Sequence, residues 1–234
     1  MQPGIGSGDE RNFGIIDCGR GPVAGQIKLP WCGHNMTKSV TIGVLALQGD
    51  FERHLTQLEG LALRGCEIRR ADHLDKIDGL IIPGGESTTM TELIDRFNMR
   101  QALVDFCTTK PVWGTCAGMI MLASEVDHDA VRPLKIIDIS VRRNGYGRQV
   151  HSFFTTIKAG LNGHISDLKA SFIRAPLVSR YAPDISVLAT YKDTPVLLAH
   201  KNCLVSSFHT ELDDDLALTD YFVRRFVADS GVHV

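Results

Sequence analysis

The sequence predicts an α/β fold: an open, mostly parallel sheet with helices on both faces and an antiparallel extension. Three observations carry that expectation. Short, almost continuously apolar runs alternate with amphipathic stretches from residue 40 to about residue 122. This is the pattern of strands buried on both faces and joined by crossover helices. A glycine-flanked cysteine, Gly114-Thr115-Cys116-Ala117-Gly118, stands between one such run and an apolar helical stretch. Beyond residue 136 helical patterns become scarce and strand-like runs follow one another, which suits an antiparallel extension and the closing strands of the main sheet.

Residues 40–47 (VTIGVLAL) read as the first buried strand, rich in β-branched side chains. Phe51, Leu55, Leu58 and Ala62 then recur at helical spacing and predict a helix packed back on that strand, closed by Gly65. Residues 66–70 give a short second strand, and residues 79–83 (GLIIP) a third that ends in Gly84-Gly85. Thr89 and Glu92 form a capping-box pattern ahead of an apolar face of Met90, Leu93, Ile94 and Phe97. A further amphipathic helix covers about 100–108, and residues 111–114 (PVWG) form the strand that leads into the cysteine turn. In the second half, residues 136–141, 150–157, 171–174, 185–191, 195–199 and 204–208 are strand-like. Leu218, Phe222 and Phe226 predict a terminal helix over 216–227.

Residues 1–36 differ from the rest. They hold eight of the 22 glycines and three of the nine prolines without any helical or strand period, so they predict a loop-like or disordered, dispensable extension. Residues 37–234 contain no internal repeat and read as a single domain, long enough to bury a core without staples. A net charge of -2 argues against a nucleic-acid surface. No apolar run approaches the roughly 18 residues of a membrane span, and no signal or transit peptide is readable, which favours the cytoplasm. Six cysteines at irregular spacing (18, 32, 66, 107, 116 and 203) suggest reduced thiols rather than a disulfide scaffold. Cys18, Cys32 and His34 lack the second ligand pair that a zinc site uses, so no metal is expected.

The chemistry centres on Cys116. A G-x-C-x-G between strand and helix is the cysteine counterpart of the nucleophile elbow, whose glycines allow a turn sharp enough to lift the side chain above the sheet. The helix N-terminus that follows offers free N–H groups and partial positive charge, both of which favour a thiolate. The bland reading is a buried structural cysteine at a tight turn, and the strand–turn–helix context weighs against it. A thiolate nucleophile needs a base and the base an orienting group. Phe208-His209-Thr210-Glu211 directly follows an apolar run, and residues two apart on an extended chain point to one face. Glu211 can therefore steady His209. The backbone N–H groups of Gly85 and Ala117 are the candidate oxyanion donors.

Two arginines stand out. Arg174 sits in the otherwise apolar stretch FIRAP, where an unpaired buried charge is costly, so a structural carboxylate or a substrate carboxylate should satisfy it. Arg143 belongs to a polar, glycine-bearing turn over 142–148 that would otherwise read as a solvated loop. The run 213–215 (DDD) reads as the charged start of a helix. His54, His73, His151 and His200 show no ligand spacing and read as surface or core residues.

Together, residues 41–50 (TIGVLALQGD), 79–89 (GLIIPGGESTT), 111–118 (PVWGTCAG), 142–149 (RRNGYGRQ), 172–176 (FIRAP) and 208–212 (FHTEL) resemble the family of glutaminase subunits of pyridoxal 5'-phosphate synthase, class I-type glutamine amidotransferases. The likeness runs from about residue 40 to about residue 227. It implies a Cys116, His209 and Glu211 triad that hydrolyses L-glutamine to glutamate and ammonia without a cofactor. It further implies a glutamine site at Gly85, Glu86, Ser87, Arg143, Ile173 and Arg174. The implied partner is a separate (β/α)8-barrel synthase subunit, held in a large hetero-oligomer, which uses the ammonia to build the vitamin B6 cofactor; alone, the glutaminase is expected to be nearly silent. Two features depart from the family pattern. Thr210 stands where the family usually has proline, which would fix φ between the paired side chains, and the 1–36 extension lies outside the pattern. Alternatives are a glutaminase serving another synthase, a catalytically silent assembly protein, for which Thr210 is the encouraging feature, and a cysteine peptidase on a similar sheet.

Overall fold

The computed structural model describes residues 40–145, 152–213 and 215–228. The 1–36 extension, residues 146–148 of the polar turn, Val150 at the start of the run 150–157, His151 and Asp214 lie outside the described residues. The elements run β1 (Thr41–Leu45), α1 (Phe51–Gly60), β2 (Arg64–Ile68), a 3-10 turn (Ala71–Lys76), β3 (Gly79–Ile82), α2 (Ser87–Arg96), α3 (Arg100–Thr109), β4 (Val112–Thr115) and α4 (Ala117–Leu122). There follow β5 (Ala123–Val126), β6 (Ile137–Arg142), β7 (Ser152–Leu161), β8 (His164–Ile173), β9 (Leu177–Tyr181), β10 (Ser186–Tyr191), β11 (Thr194–His200), β12 (Cys203–Ser206), α5 (Ala217–Phe222) and a π-helical turn (Val223–Ala228).

Nine strands form the main sheet in the order β2-β1-β3-β4-β12-β11-β10-β7-β8. The first five are parallel to one another. The remaining four join by antiparallel pairing. A separate sheet of β5, β6 and β9 flanks it. The fold class is therefore the α/β architecture with an antiparallel extension that the alternation predicts.

Side-chain alternation along the parallel strands feeds two cores. Leu80 and Ile82 of β3, Val112 of β4 and Val205 of β12 join Met90 and Ile94 of α2, Leu103 of α3 and the apolar α4. Ile81, Trp113 and Leu204, their neighbours in sequence, point the other way and meet Leu58 of α1 with Leu218 and Phe222 of α5. Helices on both faces explain why these strands read as continuous apolar runs. The long β7–β8 hairpin differs: its residues alternate between covered and exposed, with Phe154 72% and Ile165 71% exposed.

Several local expectations change. α1 ends at Gly60, capped at Leu61 with Ala62 at φ 53°, and Gly65 belongs to β2 instead of closing the helix. The β2 strand needs its narrow side there, because a Cβ on Gly65 would meet Leu55 at 2.9 Å. α2 starts at Ser87 with Glu86 as its N-cap residue, so Thr89 is already inside the helix and the capping box does not form. β5, β9 and the 3-10 turn leave little trace in the sequence because each is short and flanked by stronger patterns.

Candidate active site

Three neighbouring parallel strands deliver the site. β4 pairs with β3 on one side and β12 on the other, with Ser206 opposite Thr115. The residues that follow each strand therefore emerge at one carboxyl edge, where open α/β sheets bind ligands. Gly84-Gly85-Glu86-Ser87 leave β3, Cys116 leaves β4, and His209 and Glu211 follow β12. The long sequence separation between Cys116 and His209 is thus closed by strand register.

Cys116 adopts φ 48° and ψ -103° between β4 and α4. A non-glycine residue in this region stores strain of the kind seen at functional sites. The turn is held from below by close backbone contact: a Cβ on Gly118 would lie 2.0 Å from the carbonyl oxygen of Ile82. Any side chain there would push α4 off β3. The Cys116 residue is 7% exposed, and its Sγ lies 3.9 Å from the Ile173 carbonyl oxygen.

His209 is 5% exposed and is pinned from two directions. Its backbone exchanges hydrogen bonds with Ser171 of β8, at 2.9 and 3.0 Å. Its ring packs against Gly84, where an added Cβ would meet Cε1 at 2.3 Å. His209 Nδ1–H donates to Glu211 Oε1 at 2.5 Å. Burial works against charge on the imidazole, but its contacts with the Cys116 thiol and with Glu211 win and raise its pKa. Burial likewise opposes the Glu211 carboxylate, yet the His54 and His209 rings beside it hold the carboxyl down at about 2. A charged imidazole between thiol and carboxylate is the resting state that follows, the arrangement needed by a thiolate nucleophile. Away from the site, burial alone pushes the Cys107 thiol up to about 12, and burial raises Cys203 as well.

Thr210 does not disturb the pair. It is fully buried, its carbonyl accepts from Gln57 Nε2 at 3.1 Å, and its hydroxyl finds no partner among the described residues. Gln57 also donates to the Asp215 carbonyl and accepts from Thr219 Oγ1 at 2.8 Å, so one buried glutamine of α1 clamps the loop after β12. Asp215 in turn accepts from the Ala217 N–H, the helix-start role expected of the acidic run, while Asp213 accepts from Ser171 Oγ.

The remaining predicted residues line the same edge. Glu86 accepts from Arg143 Nη2 at 2.5 Å and from Thr88 Oγ1 at 3.2 Å, and its N–H donates to Gln48 Oε1. Arg143 is thus engaged with the site and is not a solvated turn residue. Ser87 is buried with no partner for its hydroxyl among the described residues. Ala117 opens α4 beside Cys116, at a helix position whose N–H has no intrahelical partner, and Gly85 holds φ 140°, a conformation that L side chains rarely adopt. Arg174 corrects an expectation: it is exposed, at φ 43°, so no buried carboxylate is required to satisfy it. The FIRAP stretch turns outward at this residue while Phe172 and Ala175 stay in the core.

Two buried polar residues of α1, Gln57 and His54, look like ordinary helix positions in the sequence. His54 has no exposure and lies 3.5 Å from Glu211 Oε1. The available signal is a polar side chain inside the apolar stripe of Phe51, Leu55 and Leu58, since buried polar groups need partners. Among the described residues no group of three or more His, Cys, Asp or Glu side chains is arranged to hold a metal.

This architecture defines a glutamine amidotransferase fold. A crystal structure described as a glutamine amidotransferase matches with a TM-score of 0.74 at 38% identity, covering 80% of this chain and 98% of that one. The SNO glutamine amidotransferase family model matches residues 44–228, and the chain belongs to that family. Proteins described as pyridoxal 5'-phosphate synthase subunit PdxT are similar over nearly their whole length. The one from Fervidobacterium nodosum is 44% identical over 184 residues, 78% of this chain and 95% of that protein. The one from Francisella philomiragia is 45% identical over 186 residues, 80% of this chain and 99% of that protein. A chain in the structure of PurLQS from Thermotoga maritima, at 13% identity and TM-score 0.58 over 80% of this chain and 99% of that one, shares the fold.

Proposed function

We propose that Cys116, His209 and Glu211 form the triad with which this enzyme hydrolyses L-glutamine to L-glutamate and ammonia, the ammonia passing to a partner synthase subunit for pyridoxal 5'-phosphate biosynthesis. The glutaminase activity and its place in that synthase rest on the family and on the PdxT relatives. The observation that supports the triad is the strained Cys116 beside an imidazole whose other nitrogen is bonded to a buried carboxylate.

In this mechanism the Cys116 thiolate attacks the side-chain amide carbon. The oxyanion that develops is met by the N–H groups of Gly85 and Ala117, each worth on the order of 10²–10³ in rate. The imidazolium of His209 protonates the amide nitrogen of this tetrahedral intermediate, the C–N bond breaks to release ammonia, and a γ-glutamyl thioester remains. His209, now neutral, takes a proton from water, which attacks the thioester and frees glutamate and the thiolate. Glu211 holds the imidazole in register and stabilises its charge throughout. Opposite charges at the mouth, Glu86 and Arg143, match the α-ammonium and α-carboxylate of the substrate, and the buried Ser87 hydroxyl offers it a hydrogen bond. Ile173 and Arg174 border the same opening.

The partner in this reading, a (β/α)8-barrel synthase subunit, forms a large hetero-oligomer with the glutaminase. Residues 37–234 act as one glutaminase domain, consistent with the family match to 44–228. No helix of the described residues is long and apolar enough to cross a membrane. The free thiols of Cys107, Cys116 and Cys203 fit a reducing, cytoplasmic setting. The test is ammonia release from glutamine by the chain with and without the synthase partner, for wild type and Cys116→Ala. Turnover that depends on both the partner and Cys116 is expected. Substantial turnover by Cys116→Ala in the complex would overturn the mechanism.

A further inference from the structure

We propose that His54 is a positioning residue of the glutaminase site, holding the Glu211 carboxylate by donating its Nε2–H to Oε1, the oxygen that also accepts from His209. The inference rests on the triad reading above and concerns a residue that the triad does not include.

His54 projects from α1 into the seam between β4 and the loop after β12. Its Nε2 lies 3.5 Å from Glu211 Oε1 and 3.4 Å from Thr115 Oγ1, the residue just before the nucleophile. The ring stands edge-on to Trp113 of β4, with centroids 5.5 Å apart at 82°. Trp113 in turn donates its indole N–H to Ser206 Oγ of β12 at 3.2 Å. One side chain therefore bears on both strands that carry the triad. Glu211 Oε1, the oxygen it faces, is the one that accepts from His209.

The tautomer follows from the surroundings. A lone pair on Nε2 would face an ionised carboxylate and repel it, so Nε2 carries the proton. Nδ1 is sealed from solvent with no partner among the described residues, and a bare lone pair there is cheaper to bury than an N–H. Burial holds the ring neutral against the pull of Glu211, with His209 opposing its charge and Asp50 favouring it. Neutrality is useful. A second imidazolium would compete with His209 for the same carboxylate, whereas a neutral donor fixes the carboxylate without taking its charge. At 3.5 Å the contact is long, and catalytic hydrogen bonds commonly tighten only in the substrate complex.

The test compares His54→Leu, which fills the space without a donor, with His54→Gln, whose amide N–H reaches the Nε2 position. Steady-state ammonia release is measured in the reconstituted complex with the synthase partner. His54→Leu is expected to lower kcat about tenfold with KM within twofold, and His54→Gln to return to within threefold of wild type. A His54→Leu enzyme at wild-type kcat, or Leu and Gln variants equally slow, would overturn the proposal and leave His54 a packing residue. Should His54→Leu fail to fold, His54→Asn takes its place, because its shorter amide falls at the partnerless Nδ1 position. A slow Asn and a fast Gln variant support the inference, and equal rates refute it. Cys116→Ala measured alongside separates the two readings: activity there sinks the triad itself, whereas a silent Cys116→Ala with an unimpaired His54→Leu sinks only the role of His54.

Discussion

The two halves of the main sheet are built by different rules. The parallel half, β2-β1-β3-β4-β12, is buried on both faces and ends in turns so close that glycine is required by contact with neighbouring backbone or with the His209 ring. The β7–β8 hairpin that ends the antiparallel half, β11-β10-β7-β8, alternates between covered and exposed residues and tolerates large exposed apolar side chains such as Phe154 and Ile165. Candidate catalytic groups gather at the carboxyl edge of the first half. The second half contributes Ser171, which pins the His209 backbone, and the Ile173 carbonyl beside the thiol. Register fixes the chemistry on the parallel side, and the hairpin acts as a brace.

The parallel half is most sensitive at Glu211. Glu211→Gln keeps the shape but loses the charge that orients His209, and kcat in the complex should fall by about 10²–10⁴. Ammonia assays at saturating glutamine read this directly. A loss below tenfold would mean that the imidazole is oriented by its Ser171 and Gly84 contacts alone.

Paired glycine substitutions sharpen the contrast in stability. Gly118→Ala forces a Cβ to within 2.0 Å of the Ile82 carbonyl and should cost about 3 kcal/mol or more. Gly160→Ala in β7 meets nothing closer than the Leu188 carbonyl at 3.8 Å and should raise stability by about 0.5 kcal/mol. Urea unfolding of the two variants checks the sign of each change.

The buried ionisable groups give the parallel half a pH signature. His54 has a pKa lowered from 6.5 by burial, so the unfolded chain takes up a proton that the folded chain refuses. Stability therefore falls as pH drops below about 6.5. Glu211, lowered from 4.5 to about 2, adds a further loss between those values as its carboxylate is protonated first in the unfolded chain. His209 works in the other range: with its pKa raised, its contribution is complete below 6.5 and is lost as pH rises toward the folded value. His54→Leu should hence flatten the stability curve between about pH 6.5 and 4.5 and, because the His54 ring helps hold the Glu211 carboxyl down, also soften the fall below 4.5. An unchanged slope would show that His54 is charged in the folded chain.

The smallest effect concerns Thr210. Its fully buried hydroxyl has no partner among the described residues, and Thr210→Val should stabilise by about 1 kcal/mol without moving kcat more than twofold. Thermal unfolding and the ammonia assay together check this.

Much of the parallel half is legible in the sequence because two-sided burial writes itself as uninterrupted apolar runs, and because Gly114, Cys116 and Gly118 have a spacing that few other structures need. His209 and Glu211 become readable as a candidate pair only when their alternation is set beside the Cys116 turn. What escapes depends on three-dimensional neighbours. His54 and Gln57 sit on a helix whose period shows in its apolar members, so their partners on the loop after β12, far away along the chain, leave no local trace. Thr89 and Glu92 match a cap pattern, but the run Ser87-Thr88-Thr89 offers several starts, and the turn leaving β3 selects Ser87. Arg174 misleads because apolar neighbours do not reveal a backbone that turns outward at φ 43°.

At the centre of this picture, strand register brings the Cys116 thiol, and no other cysteine of the described residues, to the imidazole at the carboxyl edge. An electrophilic glutamine analogue, applied to the complex with the synthase partner and followed by peptide mass spectrometry, tests it directly. One adduct is predicted, on the peptide carrying Cys116, formed in step with loss of ammonia release, with Cys66, Cys107 and Cys203 unmodified. Inactivation accompanied by an adduct at another cysteine, or complete Cys116 modification with glutamine turnover intact, would contradict it.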